Sequence, residues 1–157
     1  MILKNITIIS GAYVDPTSSI NNVTLHANVK IAKRCSIFGS EDGILEIGEN
    51  SYVGMNTIIN GFRAKIKIGC NVSIAQSVNI MSDSGPNASE EMQKFFPLTI
   101  GSVVIGDHSW IGTNSVIMPG VQLGKFCVVA ANSFVTTSFD DFSVIGGNPA
   151  KLIRKLK

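Results

Sequence analysis

The sequence predicts an all-β chain wound as a parallel β-helix, with one long loop excursion and a short C-terminal segment. Three observations predict it. Ile105, Ile111, Ile117, Leu123, Val129 and Val135 are aliphatic residues, each six positions after the last, and a hexapeptide period is a signature of the parallel β-helix. Four positions after each of the first five stands a small or compact residue, at Ser109, Ser115, Val121, Cys127 and Ser133. Such residues suit a side chain turned inward at a sharp corner between short straight segments. Glycine or alanine follows the beat directly at Gly106, Gly112, Gly124 and Ala130.

Upstream the beat returns in runs of three. Leu25, Ile31 and Ile37 form one, with Val29 and Cys35 in the small slots. Ile47, Val53 and Ile59 form the next, with Ser51 and Thr57, and Ile68, Ile74 and Ile80 a third, with Val72 and Val78. Three hexads close one triangular turn, so the chain reads as a prism of roughly six coils with strands stacked in parallel on three faces. Extra residues fall between the runs, around 39–43 and 61–65, where glycines suit corners and small bulges.

The large exception is the excursion 82–99, polar first and apolar later. A short helix is expected near 89–95 with Ser89 as its N-cap. Long loops inside a regular domain are commonly functional, and Phe95 and Phe96 give this one something to pack with. After Val135 the beat fades, and Gly146-Gly147-Asn148-Pro149 reads as a turn that ends the prism. The segment 146–157 is expected to fold back against a side or to cover the open end, which is otherwise an unpaired edge.

At 157 residues the chain is expected to be a single domain over 1–157, 45% apolar but only 7% aromatic, so its core is aliphatic and narrow. A net charge of +2 makes no case for nucleic acid. The last seven residues carry four of the 13 basic groups, Lys151, Arg154, Lys155 and Lys157. The start, Met1-Ile-Leu-Lys-Asn-Ile-Thr, lacks the basic region, apolar run and cleavage site of a leader. No stretch reaches the roughly 18 apolar residues of a membrane span. Cys35, Cys70 and Cys127 fit neither a metal spacing nor a disulfide framework. Reduced structural thiols, a cytoplasmic location and no metal are the expectation.

The stretch 104–124, with its Trp110-Ile-Gly, then 128–135 with Ala130-Ala131, then Gly147-Asn-Pro-Ala-Lys-Leu-Ile-Arg154, closely resembles the hexapeptide-repeat acyltransferases. Within them it resembles most the sugar O-acetyltransferase and xenobiotic acetyltransferase branch, strongly over 68–154 and more loosely upstream. The resemblance implies a left-handed β-helix, a homotrimer, acetyl-CoA as acyl donor in a groove between subunits, and a small-molecule sugar acceptor. It implies cofactor contacts at Trp110, Gly112, Thr113, Ala130, Ala131 and Pro149, with Lys151 and Arg154, beside Lys155, meeting the phosphates. Small residues let a ligand approach the main chain, and basic side chains supply charge-assisted hydrogen bonds to phosphate. On the acceptor side it implies Asn56, Ser82, Ser84 and Asn87.

The catalytic base departs from the family's pattern. Such enzymes usually carry a histidine on the interrupting loop, where it takes the acceptor's proton; here that stretch is Met81-Ser-Asp-Ser-Gly-Pro-Asn87. Three readings stand open at this point. Asp83 takes the role, His108 reaches in from the neighbouring coil, or an amine acceptor that binds neutral needs no strong base. His26 reads as surface. Two rivals of another kind accompany these: a non-catalytic scaffold or binding module, and a carbonic-anhydrase-like zinc enzyme on the same fold. The zinc enzyme needs three converging histidines, and the chain has two.

Overall fold

A computed structural model describes residues 3–157. Met1 and Ile2, the start of the stretch read for a leader, lie outside the described residues. The first coil consists of β1 (Ile6–Ile8), β2 (Tyr13–Val14) and β3 (Ser19–Asn21), and the second of β4 (Val23–Leu25), β5 (Lys30–Ile31) and β6 (Ser36–Phe38). The third is β7 (Leu45–Ile47), β8 (Tyr52–Val53) and β9 (Ile58–Asn60), and the fourth β10 (Ile66–Ile68), β11 (Ser73–Ile74) and β12 (Asn79–Met81). The excursion holds β13 (Asp83–Ser84), α1 (Glu90–Gln93) and β14 (Thr99–Ile100). Coil five is β15 (Val103–Ile105), β16 (Trp110–Ile111) and β17 (Val116–Ile117); coil six is β18 (Gln122–Leu123), β19 (Val128–Val129) and β20 (Phe134–Val135). A partial seventh coil leads through Phe139 into β21 (Ser143–Gly147) and β22 (Ala150–Lys155).

Every third strand stacks on its predecessor, giving faces of six, eight and six strands. The faces are numbered 1 to 3 in chain order, and the edges between them 1–2, 2–3 and 3–1. Parallel register puts Ile47, Ile68 and Ile105 in one column, Val53, Ile74 and Ile111 in a second, and Ile59, Ile80 and Ile117 in a third. These columns are buried and form a continuous aliphatic core, which is why a strict six-residue beat suffices to specify the fold. The beat also runs through Ile8, Val14 and Ile20 in the first coil, upstream of the runs that begin at Leu25. Being terminal, that coil covers its residues on one side only, and Ile8 stays half exposed.

The inward small residues do more than fill space. Ser51 donates from Oγ to Gly69 O and accepts from Val72 N; Ser109 does the same with Gly124 O and Cys127 N, and Ser115 with Ala130 O and Ser133 N. Each buried hydroxyl thus satisfies its own hydrogen bonds while tying one coil to the next. The residue before each slot holds a left-handed conformation, with φ near 60° at Asn28, Asn50, Asn71, His108, Phe126 and Phe142 along edge 1–2. Arg34, Asn56, Ser77, Asn114 and Asn132 do the same along edge 2–3. Asparagine tolerates that region better than most residues.

All irregularity is gathered on edge 3–1. The insertions at 39–43 and 61–65 and the whole excursion lie there, one above another. Gly39 is required at its position, because a Cβ there meets Asn22 O, Gly43 O and Leu45 N, each at 2.6 Å. At the far end, β22 pairs antiparallel with β21. The terminal segment thus extends face 2 by one strand and covers the edge that β21 otherwise leaves unpaired.

Candidate active site

Along edge 2–3 the residue after the face-2 strand is small in coils two to six: Ala32, Gly54, Ala75, Gly112 and Ala130. Each donates its N–H to the next coil, as from Ala75 to Ile111 O, Gly112 to Val129 O and Ala130 to Ile145 O, at 2.8–2.9 Å. Stacking is so close that a Cβ on Gly112 falls 2.6 Å from Ala131 N and Val129 O. The result is an open-sided cavity of about 370 Å³ over coils four to six. Its lining includes Trp110, Gly112, Thr113, Ala130 and Ala131, five residues expected to meet the cofactor. Trp110 forms the projecting wall and is 57% exposed. The Thr113 hydroxyl donates to Gln76 O. Among the described residues, the Thr113 and Ala131 N–H groups donate to no protein acceptor, leaving main-chain donors for an amide-bearing ligand.

At the C-terminal end of this groove stands the β21–β22 hairpin, with Pro149 at its turn. Lys151 lies opposite Gly146, and Arg154 opposite Val144. Lys155, expected beside them at the phosphates, donates from Nζ to Asp141 O and Ser143 Oγ and so ties down the hairpin. Lys157 lies over the Phe142 ring, 4.6 Å from its centroid.

The excursion leaves coil four on edge 3–1 as an antiparallel ribbon, Asp83 opposite Ile100 and Ser84 opposite Thr99. The Ser89 Oγ accepts from Met92 N and caps α1, as expected. Phe95 and Phe96 differ from expectation in staying largely exposed, at 77% and 68%. Ser82 is also a correction. Placed among the acceptor contacts by the resemblance, it is fully buried, and its Oγ accepts from Arg63 N and Ala64 N. Its backbone links Asn60 O to Gly101 N, so it anchors both stems of the excursion. Next to it, Asp83 holds Oδ1 buried with no hydrogen-bond partner, alone in this among the described residues. Burying a polar atom unpaired is costly, so an orphan of this kind calls for an explanation. Ser84 beside it is half-buried, and Asn87 is exposed at the turn.

The other expected residues lie elsewhere. His108 sits on edge 1–2, its ring stacked on Phe126 at 4.6 Å, with Phe126 stacked in turn on Phe142 at 5.1 Å. Asn56 sits on edge 2–3 in coil three, accepting from Arg34 Nε at 2.9 Å, apart from Ser84 and Asn87 on edge 3–1. His26 is half-buried, 3.9 Å from Glu46. The fold therefore brings five of the residues expected to meet the cofactor into one cavity and keeps both base candidates on other edges. Among the described residues no three His, Cys, Asp or Glu side chains group as a metal site, and no helix is long and apolar enough to cross a membrane. Clefts of about 720 Å³ and 760 Å³ lie near the two ends, and none of the expected cofactor residues lines them.

Residues 102–137 match the bacterial transferase hexapeptide family (six repeats). The chain is 40% identical over 111 residues to a putative acetyltransferase of Saccharomyces cerevisiae, covering 70% of this chain and 55% of that protein. It is 33% identical over 121 residues to the galactoside O-acetyltransferase of Escherichia coli, covering 76% and 58%. The chain thus spans little more than half the length of these relatives. Among solved structures it superposes on AntD, an N-acyltransferase from Bacillus cereus in complex with dTDP and 3-hydroxybutyryl-CoA, with a TM-score of 0.79, 25% identity, and coverage of 99% of this chain and 82% of that one. A galactoside acetyltransferase in complex with coenzyme A superposes with a TM-score of 0.69 at 27% identity, covering 97% and 66%. With its six-residue beat, its stacked coils and these matches, the chain is a left-handed parallel β-helix and belongs to the hexapeptide-repeat acyltransferase family.

Proposed function

We propose that the protein transfers an acetyl group from acetyl-CoA to a hydroxyl or amino group of a sugar or nucleotide-sugar, in surface polysaccharide biosynthesis, as a cytoplasmic homotrimer. The observation that carries this reading is the edge 2–3 groove: a tryptophan wall, a floor of glycine and alanine, outward main-chain N–H groups and a basic hairpin at one end. The CoA-bound galactoside acetyltransferase and the acyl-CoA- and dTDP-bound N-acyltransferase support it. In this reading Lys151 and Arg154 hold the phosphates, Pro149 borders the hairpin turn, and the pantetheine arm runs along Ala130, Ala131, Gly112 and Thr113 under Trp110.

Asp83 is the base we assign. Its unpartnered Oδ1 is an acceptor without a donor, and the acceptor's O–H or N–H supplies one. The carboxylate takes that proton as the oxygen or nitrogen attacks the thioester carbonyl, the C–S bond breaks, and the proton passes on to the departing CoA thiolate. Since Asp83 and the groove lie on different edges, the excursion of one subunit completes the groove of its neighbour. The exposed Phe95 and Phe96 fit burial in that contact.

Thiol release from acetyl-CoA across a panel of hydroxyl and amino sugars tests the reading. General-base removal costs on the order of 10²–10⁴-fold, so Asp83→Asn is expected to lose at least about 100-fold in kcat, while His108→Ala stays within a few-fold. Full turnover in Asp83→Asn sinks the base assignment. A protein that binds no CoA sinks the enzyme reading and leaves a scaffold.

A further inference from the structure

A second cavity, of about 370 Å³, lies on face 2 and edge 2–3 over coils one to three. None of the expected cofactor or acceptor residues lines it. Its walls are Tyr13 and Tyr52, with Lys30 between them on the middle strand and Lys33 and Met55 at the corner. Both tyrosines are about half exposed, at 54% and 45%. Neither lysine is in a salt bridge among the described residues, whereas Lys4, Lys65, Lys94 and Lys125 all are. The one acid in the cavity, Asp15, accepts from the Thr17 N–H and hydroxyl at 2.9 and 2.7 Å, and it feels the Lys33 charge without forming an ion-pair contact. Coil two thus presents Lys30 between two phenol rings and Lys33 at the adjoining corner.

We infer that this cavity binds the nucleoside diphosphate portion of a nucleotide-activated sugar acceptor, the base on a tyrosine face and the diphosphate on Lys30 and Lys33. The inference rests on the function proposed above and narrows its acceptor from sugars in general to this class. Position supports it as well as chemistry. The excursion that carries Asp83 leaves at the end of coil four, so the reacting atoms lie at that level. The cofactor groove occupies coils four to six, and the tyrosine–lysine cavity occupies coils one to three on the same edge, on the far side of the reaction level. Coils repeat about every 4.8 Å, so Lys30 in coil two is roughly 10 Å from it along the axis, a span suited to one sugar ring and its anomeric phosphate. Aromatic side chains accept any base by stacking, and unpaired ammonium groups are natural diphosphate ligands. The cleft of about 760 Å³ on edge 3–1 is a poorer match, since its Lys4 is already paired with Glu41 and Asp42 stands beside them.

The test is calorimetric titration of UDP, dTDP, GDP and CDP into the full chain with CoA present at saturation, so that the cofactor site is closed to them. At least one is expected to bind. Lys30→Gln with Lys33→Gln should weaken it by about 10- to 100-fold, the loss of two charge-assisted contacts, and Tyr52→Leu by about 5- to 100-fold, the loss of one stacking contact. The CoA affinity of each variant, measured alone, should stay at the wild-type value, which also shows that the variants are folded. Inorganic pyrophosphate should compete in wild type and not in the lysine variant. Nucleotide affinity indifferent to these substitutions, or CoA binding with no response to any of the four nucleotides, overturns the inference and leaves the acyltransferase reading standing. Loss of CoA binding by the wild-type protein counts against the acyltransferase reading itself.

Discussion

Replacing Ser82 by alanine separates two roles that lead to opposite measurements. The resemblance places this serine against the acceptor, and the structure places it under the excursion as an anchor. Its Oγ accepts from Ala64 N at 3.1 Å and from Arg63 N at 3.3 Å, with the residue fully buried. Alanine keeps the fold of the chain but leaves both N–H groups without an acceptor. A stranded buried donor costs about 1–3 kcal/mol. Arg63 is exposed and its N–H can recover water, so the total is set near that of one donor, about 1–3 kcal/mol. For a chain of this size each kcal/mol lowers Tm by about 2–4 °C, which puts the expected loss at roughly 2–12 °C in a thermal melt. Urea unfolding should show the midpoint lowered with the slope unchanged. Because the same residue ties Asn60 to Gly101, the neighbouring Asp83 loses its fixed position, so kcat should fall with little change in the acceptor KM. A variant with wild-type Tm and urea midpoint but a raised acceptor KM refutes the anchoring role and restores Ser82 to the acceptor.

Gly112→Val places a Cβ 2.6 Å from Ala131 N and Val129 O; overpacking of about 1–3 kcal/mol should appear in the melt together with lost CoA binding. Gly120→Ala meets nothing within 4 Å but forces a side chain onto φ +85°. About 1–2 kcal/mol of backbone strain should therefore lower Tm while CoA affinity is unchanged. Lys151→Gln with Arg154→Gln should weaken CoA by about tenfold or more at low salt, with the gap to wild type narrowing as ionic strength rises, and with Tm unaltered because both side chains are exposed. Burial pushes the Cys35 and Cys127 thiols above their ordinary range, so thiol reagents at neutral pH should label them only after unfolding. With folded values raised, their contribution to stability is complete below the unfolded thiol value, about 8.5, and is lost as pH climbs through the folded values; alkaline melts should show it.

The repeat was legible because every coil buries the same kind of residue at the same place. Ile105, Ile111 and Ile117 each face the axis stacked on another isoleucine, so coils of three six-residue sides bury an aliphatic residue at every sixth position. The first coil escaped notice for the converse reason. Ile8, Val14 and Ile20 keep the spacing, but a terminal coil has a neighbour on one side only, and the flanking sequence is freer. The corners carried a signal that went unread: asparagine recurs three positions after the beat, at Asn28, Asn50, Asn56, Asn71, Asn114 and Asn132, where φ is near 60°. His108, Phe126 and Phe142 occupy that same place in the repeat. Read by its place in the hexad rather than by its imidazole, His108 is a corner residue whose ring continues an aromatic stack.

The residues expected to meet the cofactor take their places from the repeat and those expected to meet the acceptor do not, and the difference is physical. Trp110, Gly112, Thr113, Ala130 and Ala131 belong to the repeat itself, so their spacing determines their place in space and they converge on one groove. Ser82, Asp83, Ser84 and Asn87 belong to the excursion, where no period says which side chain turns inward. Adjacent positions there have opposite fates: Ser82 is sealed beneath the ribbon with its hydroxyl satisfied, while Asp83 keeps a buried oxygen unpaired. That contrast arises from which backbone N–H groups the insertion at 61–65 presents to each, a contact between two irregular segments on one edge. Regular coils leave such segments free to vary without cost to the core. The residues expected on the acceptor side therefore lie where the repeat exerts the least control.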